Sequence, residues 1–297
     1  MNTPTLYILG AGSIGLLWAC RLAEKGHAPV LITREPSPLF SVTRHSSNQQ
    51  HAFNFQTCCP PLSQPIHFLL ITTKAHQTQQ AVNAIRHVIM EDAVIVLLQN
   101  GMGNGEWLAA EFPQAKIYLG TTTDGVFRNT KTEFSVAGTG ETYFGPLQPG
   151  LEKSAIASLL NAAPNTAWDD NILTRLWQKL AVNCVINPLA ALYECRNGEL
   201  ITNQKYFQHF SRVATETQEA IRSLGISLPQ TSLLDFAKMV AEKTAQNINS
   251  MLADKRTGCG TEIDFILGYL LSKVHPAHYP ELESLYQAVK HFPRPTL

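Results

Sequence analysis

Three side chains within Trp177-Gln-Lys-Leu-Ala-Val-Asn-Cys-Val-Ile-Asn-Pro188 stand at the spacing of a single working face. Lys179, Asn183 and Asn187 recur every fourth residue, so on a helix they stack along one side, drifting only about 40° per step. A cation and two carboxamides so placed form a nitrogen-rich stripe able to donate hydrogen bonds to a polar ligand. The positions between them, Leu180, Ala181, Val182, Cys184, Val185 and Ile186, are apolar almost all round, the pattern of a helix buried on most sides. Burying an unpaired ammonium costs several kcal/mol, so the stripe either meets acceptors inside the protein or lines a wet cleft where a ligand supplies them. The stretch by itself leaves both readings open.

A second chemistry-bearing motif opens the chain. Leu6-Tyr-Ile-Leu9 is a short apolar run, followed at once by Gly10-Ala11-Gly12-Ser13-Ile14-Gly15 and then by a helix-forming stretch, expected to be amphipathic, that stops at Gly26. Strand, glycine turn and helix in this order are what a dinucleotide-binding βαβ unit needs. Gly10 permits the tight turn, Gly12 lets a pyrophosphate approach the backbone, and Gly15 lets helix and strand pack closely. The helix N-terminus attracts the anion. Arg34 closes the next strand, Pro29-Val-Leu-Ile-Thr33, about twenty residues beyond the glycines, where an NAD site places an acidic residue for the ribose 2′-hydroxyl. Arginine suits a 2′-phosphate instead, so the cofactor expected is NADP(H). His67-Phe-Leu-Leu-Ile-Thr-Thr73 and Ala93-Val-Ile-Val-Leu-Leu98 read as central parallel strands that carry Lys74 and Asn100 to their carboxyl ends, which border the ligand crevice in open α/β sheets.

The remaining elements set the frame. Lys116-Ile-Tyr-Leu119 is a further strand, and Glu133-Phe-Ser-Val-Ala137 with Glu141-Thr-Tyr-Phe144 around Gly138-Thr-Gly140 reads as a hairpin. A helix is expected from Glu152 to Asn161. Beyond Ile172 the strand signature gives way to helical periodicity over 172–193, 204–224, 231–252, 261–274 and 281–291, punctuated by Gly198, Gly225 with Pro229, Gly258 to Gly260, and Pro276 with Pro280. Thr261 and Asp264 have the spacing of a helix N-cap and its capping acid. The fold class expected is therefore α/β, with an N-terminal Rossmann-type dinucleotide-binding domain over 1–169 and an all-helical C-terminal domain over 170–297.

Composition narrows the partners. The 297 residues suffice for two domains, and the balance of 23 basic against 23 acidic residues, without long single-sign runs, argues against nucleic acid and anionic membranes as partners. Small-molecule chemistry is the expectation that remains. The start Met1-Asn-Thr-Pro-Thr lacks a basic leader, and no apolar run approaches the roughly 20 residues of a membrane span, which reads as cytoplasmic. Cys20, Cys58, Cys59, Cys184, Cys195 and Cys259 form no C-x-x-C pair, so no metal site is expected.

The motifs together have a familiar order. Gly10 to Gly15, Lys74-Ala-x-Gln77, Gln99-Asn-Gly-Met-Gly103, Gly120-Thr-Thr-Thr123, Trp177-x-Lys-Leu-Ala-Val-Asn183, Asn187-Pro188, Asn197-Gly-Glu-Leu200, Asn247-x-x-Ser-Met251 and Thr261-Glu-Ile-Asp264 follow one another as in the ketopantoate reductase (2-dehydropantoate 2-reductase) family. The chain resembles that family along essentially its whole length. The resemblance implies reduction of 2-dehydropantoate to pantoate with NADPH, in pantothenate and coenzyme A biosynthesis, at a cleft between two domains. It implies that Lys179 is the catalytic lysine and Glu262 its acidic partner at the substrate. Asn100, Asn183, Asn187, Asn197, Asn247 and Ser250 become substrate contacts; Gly10, Ala11, Gly12, Ser13, Ile14, Gly15, Arg34, Lys74 and Asn100 become cofactor contacts. Partners are then a small 2-oxo acid and, at most, a second copy of the chain, as monomer or homodimer. His76 and Cys259 depart from the family pattern, standing where an aromatic and a basic residue are usual. Two rival readings stand beside this one: a dehydrogenase for a different 2-oxo or 3-hydroxy acid, and a nucleotide sensor without turnover, in which the pair Lys179 and Glu262 would be missing.

Overall fold

The computed structural model describes residues 4–35, 39–46, 49–228 and 232–292; Met1 to Thr3 of the start and the helix stop Pro229 lie outside them. The chain divides into two compact units, one comprising Met1–Gln99 with Asn104–Leu173, the other Asn100–Gly103 with Thr174–Leu297.

In the first unit the glycine turn joins β1 (Leu6–Leu9) to α1 (Ser13–Glu24), and β2 (Val30–Ile32), β3 (Leu39–Ser46), β4 (Gln49–Cys58), β5 (Ile66–Ile71) and α2 (Ala75–Asn83) follow. Next come β6 (Ile89–Leu98), α3 (Asn104–Glu111), β7 (Lys116–Thr122), β8 (Gly125–Arg128), β9 (Glu133–Gly138), β10 (Thr142–Pro146), α4 (Ala157–Leu160) and β11 (Thr166–Trp168). The described strands make one sheet of eleven, ordered β11-β10-β7-β6-β5-β1-β2-β4-β3-β9-β8. Its centre, β2-β1-β5-β6-β7, is parallel. These strands are apolar along most of their length because helices or other strands cover both faces.

The Rossmann-type expectation holds, with two differences. Glu133–Gly138 and Thr142–Pro146 do not form a hairpin: β9 pairs with β3 and β8, whereas β10 pairs with β7 and β11. The segment between them turns away because Gly140 lies flat on the Thr123–Asp124 backbone, where a Cβ would clash, and donates its N–H to Asp124 Oδ1 at 3.0 Å. The strands β3 and β4 were not expected, although Phe40-x-Val42 and Phe53-x-Phe55 alternate as a half-buried pair should; Val42 and Phe55 are buried and Phe40 and Phe53 pack beside them.

These outer strands explain why α1 is not amphipathic. Leu16, Leu17, Trp18, Ala19, Cys20 and Leu22 are all within 2% of complete burial. They share one core with Val42, Phe55 and Phe134 from one end of the strand order and Phe144 from the other. The sheet curls round α1 as a half-barrel, and Trp18 meets Phe144 edge-to-face at 5.2 Å. Burial of each of Leu16, Leu17 and Leu22 is worth about 1.5–3 kcal/mol, so α1 and the glycine turn that starts it are firmly anchored.

The second unit holds α5 (Ile172–Tyr193, from Thr174 onward), α6 (Glu199–Thr202), α7 (Gln204–Ser223), α8 (Leu233–Lys243), α9 (Ser250–Arg256), α10 (Leu267–Lys273) and α11 (Pro280–Lys290), with no strand among the described residues. Two expected helices are each divided. The 231–252 stretch breaks after Lys243, where Thr244 turns its hydroxyl back to Val240 O at 2.7 Å, and α9 restarts under an Asn249 cap whose Oδ1 accepts from Leu252 N at 3.0 Å. The 261–274 stretch begins as a single 3-10 turn, Ile263–Phe265, and Ile266 at φ −105°, ψ −89° separates it from α10. The turn's N-cap is Glu262 rather than Thr261, and Asp264 Oδ1 accepts from Tyr286 Oη at 2.6 Å and Lys290 Nζ at 3.0 Å on α11. Among the described residues no helix is long and apolar enough to cross a membrane.

Candidate active site

In the first unit, three neighbouring strand ends bring the cofactor candidates together. Gly10 has φ +108°, which favours glycine, and a Cβ there would stand 2.8 Å from Thr73 N. Gly15 leaves no room for a side chain against Gly10 O and Thr72 Oγ1. Thr72 secures the turn by donating to Gly10 O at 2.8 Å. A Cβ on Gly12, in contrast, would meet nothing within 4 Å, and Gly12 begins α1 without any side-chain cap. Two glycines are therefore required by protein packing, whereas Gly12 opens onto space above an uncapped helix N-terminus. That is the arrangement an anionic pyrophosphate fits, with Ala11, Ser13 and Ile14 supplying the surrounding backbone.

Arg34 lies just past β2, exposed, and donates from Nη2 to Gln77 Oε1 at 2.7 Å. Gln77 belongs to the first turn of α2, whose N-cap is Lys74 at the end of β5. Two cations thus flank the glycine turn on adjoining strand ends, β2 and β5, with β1 between them. The first turn of α2 is itself held: Thr78 donates to Lys74 O at 3.2 Å, and Asn104 Nδ2 donates to Ala75 O at 2.9 Å and to Gln99 Oε1 at 2.8 Å. Gln77 closes the Lys74-Ala-x-Gln77 motif, and the reach of Arg34 across to α2 gives it a role that spacing alone does not.

In the second unit, α5 carries the opening stripe as its spacing predicts. Leu180, Ala181, Cys184, Val185 and Ile186 are at most 3% exposed, Lys179 and Asn183 are half-buried, and Asn187 is buried beside Pro188. Burial pushes the Cys184 thiol well above its usual range, and that of Cys20 up to about 12, which disfavours the thiolate at both. Trp177, one half-turn before Lys179, packs its ring 5.7 Å from Tyr269 of α10. Immediately ahead of α10, Glu262 is 4% exposed, a carboxyl group buried at the start of the 3-10 turn. Asn100 belongs to the segment Asn100–Gly103, which joins this same unit: Met102 N donates to Phe265 O at 2.8 Å, and Gly101 at φ +79° lies against Phe265.

The other asparagines gather where the 195–198 turn meets the loop before α9. Asn197 is 6% exposed; its Nδ2 donates to Thr244 Oγ1 at 2.9 Å and its Oδ1 accepts from Asn249 Nδ2 at 3.2 Å. Backbone bonds from Asn197 N to Asn247 O, 3.2 Å, and Gly198 N to Ala245 O, 3.1 Å, tie the same segments. Asn247 and Ser250 remain exposed at this junction. Lys255 fastens α9 to the end of α5, bonding Ala191 O at 3.1 Å and Glu194 Oε1 at 2.8 Å. The Asn-Ser-Met-Leu run opening a helix is the sequence signal for Asn249 as a cap, whereas the contact of Thr244 with Asn197 has no local signal.

A Rossmann-type sheet with this glycine turn, followed by helices presenting lysine, asparagines and a buried glutamate, defines the class as a dinucleotide-binding protein with a helical second part. Family models described as "Ketopantoate reductase PanE/ApbA" and its C-terminal counterpart match residues 6–149 and 171–292. The chain is 36% identical over 289 residues to 2-dehydropantoate 2-reductase of Escherichia coli O157:H7, covering 95% of this chain and 93% of that one. It belongs to the ketopantoate reductase family. Its fold is also that of a PanE/ApbA family ketopantoate reductase from Ralstonia eutropha JMP134, with a TM-score of 0.86 at 22% identity over 96% and 97% of the two chains. The same holds for D-mandelate dehydrogenase, solved with NADH and anilino(oxo)acetate, at 0.85 and 20% over the same shares.

Proposed function

We propose that this chain reduces 2-dehydropantoate to pantoate with NADPH. The observation that carries the reading is the α5 stripe of Lys179, Asn183 and Asn187, present with a buried Glu262 in a chain whose relatives named 2-dehydropantoate 2-reductase align over nearly its whole length. The cofactor domain is taken as residues 1–169, apart from Asn100–Gly103, which group with the second unit, and the helical substrate domain as 170–297. Gly10 to Gly15 hold the pyrophosphate, Arg34 and Lys74 the 2′-phosphate side, and Asn100 serves cofactor and substrate. NADPH, when bound, supplies the hydride.

Lys179 donates its proton to the ketone oxygen as negative charge develops there; an ammonium can do so because the forming alkoxide is far more basic. Asn183, Asn187, Asn247 and Ser250 hold the substrate carboxylate and carbonyl by hydrogen bonds. Asn197, anchored to Thr244 and Asn249, still has an N–H and a lone pair to add. Glu262 accepts from the terminal hydroxyl of the substrate, a contact that an analogue lacking that hydroxyl cannot make. The mandelate dehydrogenase likeness supports a second reading, reduction of an aromatic 2-oxo acid with NADH.

A panel of 2-oxo acids assayed with both cofactors separates the readings. 2-Dehydropantoate is expected to exceed its deoxy analogue in kcat/KM by at least about 10²-fold. Comparable values for the two, or preference for an aromatic 2-oxo acid, would overturn the assignment. The activity is that of a soluble small-molecule enzyme of the cytoplasm, acting as monomer or homodimer.

A further inference from the structure

Arg128, at the end of the edge strand β8, lies 117 residues from the glycine turn in sequence yet reaches it: its Nη1 donates to Ala11 O at 2.8 Å. The other two bonds of the guanidinium bind the turn that follows β8, Nε to Thr130 O at 3.0 Å and Nη2 to Lys131 O at 2.6 Å. All three acceptors are backbone carbonyls, so the group serves as a bracket between two loops. This contact exists because the sheet curls round α1 and brings β8, the last strand in its order, back beside the first βα turn.

The bond has a directional consequence. In a trans peptide the carbonyl and the following N–H point to opposite sides. Fixing the Ala11 carbonyl toward Arg128 therefore turns the Gly12 N–H away from it, in the loop where a Cβ on Gly12 would meet nothing. An unheld carbonyl could rotate, and the backbone donors of the loop would have to be ordered again each time an anion bound.

We propose that Arg128 is a positioning residue for the dinucleotide: by holding the Ala11 carbonyl it presets the donors of the glycine turn for the pyrophosphate. The proposal rests on the reading that this turn binds NADPH. A guanidinium is suited to the task because its rigid fork serves three carbonyls at once; a lysine ammonium keeps the charge but not the fork.

The test measures binding of NADPH and of adenosine 2′-phosphate, which carries the 2′-phosphate and adenine but no pyrophosphate, to wild type, Arg128→Gln and Arg128→Lys. Both variants should bind NADPH about 10-fold more weakly, the effect of one charge-assisted hydrogen bond, while their affinity for adenosine 2′-phosphate stays within about two-fold of wild type by the same reasoning. In steady state the KM for NADPH should rise in the same proportion, with kcat at saturating cofactor changing less. Wild-type NADPH affinity in Arg128→Lys would reduce the role to bare charge and overturn the bracket. Equal weakening of both ligands would mean general loosening and also overturn it, as would loss of fold in both variants. If wild type binds neither ligand, the dinucleotide reading itself falls; if it binds both and the variants match it, only the role of Arg128 falls.

Discussion

Lys179 is half-buried on α5, and its environment separates two roles that kinetics can tell apart. A structural cation would, on change to methionine, lower stability and disturb binding and turnover together. For the general acid the loss falls on the transition state. Lys179→Met is then expected to lower kcat and kcat/KM together by about 10²–10⁴, with melting temperature and NADPH affinity retained. Asn183→Ala and Asn187→Ala carry no comparable acid and should raise KM more than they lower kcat. Steady-state kinetics with thermal melts and cofactor titration check all three, and a folded Lys179→Met enzyme within a few-fold of wild type would return the stripe to a packing role. On the cofactor side, Arg34→Ala should weaken NADPH by about 1.5–3 kcal/mol, the range of a charged hydrogen bond, and leave NADH nearly unchanged. Gln77→Ala should have the same sign at smaller size, because it only releases the Arg34 fork.

At the scale of elements, α1 is joined to the β7–β8 link by a buried ion pair. Arg21 Nη1 and Nη2 meet Asp124 Oδ2 and Oδ1 at 2.6 and 2.9 Å, with the Asp124 side chain fully buried, and Thr122 Oγ1 adds a donor at 2.8 Å. Burial alone would raise the Asp124 carboxyl; the hydrogen bonds from Arg21 and the Gly140 N–H, the Arg21 charge and Thr122 outweigh it and hold it below 3.8. A folded-state value below the unfolded one means stability that is fully present above pH 3.8 and is lost as pH falls through the lower folded value. Asp124→Asn should therefore be less stable at pH 7 by about 3–5 kcal/mol, because the arginine is left buried without its charge partner. Urea unfolding at pH 7 and at pH 3 should show that gap narrowing in acid; a gap that stays constant would remove the ionic explanation.

At the scale of the whole molecule, a ligand that binds only the folded chain stabilises it in proportion to its affinity. NADPH at about 100 times its Kd adds roughly 2.7 kcal/mol, and the melting temperature should rise by several degrees. NADH at the same concentration should raise it much less if Arg34 and Lys74 read the 2′-phosphate. Calorimetry with each nucleotide checks this, and equal shifts would count against NADP(H) as the cofactor.

Much of this was legible in the residues because the relevant signals are local. The glycine turn, the apolar β1, β5 and β6, the i, i+4 stripe of α5 and the helical character beyond Ile172 each depend on a few adjacent positions, whose spacing alone constrains backbone and face. Helix breaks were less legible: a helical period runs through 231–252, and only the backbone shows that α8 stops at Lys243 and that α9 starts again at Ser250 under the Asn249 cap. What the tertiary structure alone decided depends on the curl of the sheet and on distant pairs. The separation of β9 from β10 follows from pairing choices made more than eighty residues away, Thr43 with Glu133 in β3 and β9. The hold of Arg128 on Ala11, of Arg21 on Asp124 and of Asn249 on Asn197 spans 117, 103 and 52 residues. Such contacts leave no periodic trace, because nothing in the neighbours of an arginine or an asparagine records which distant carbonyl, carboxylate or amide will face it once the chain has closed on its core.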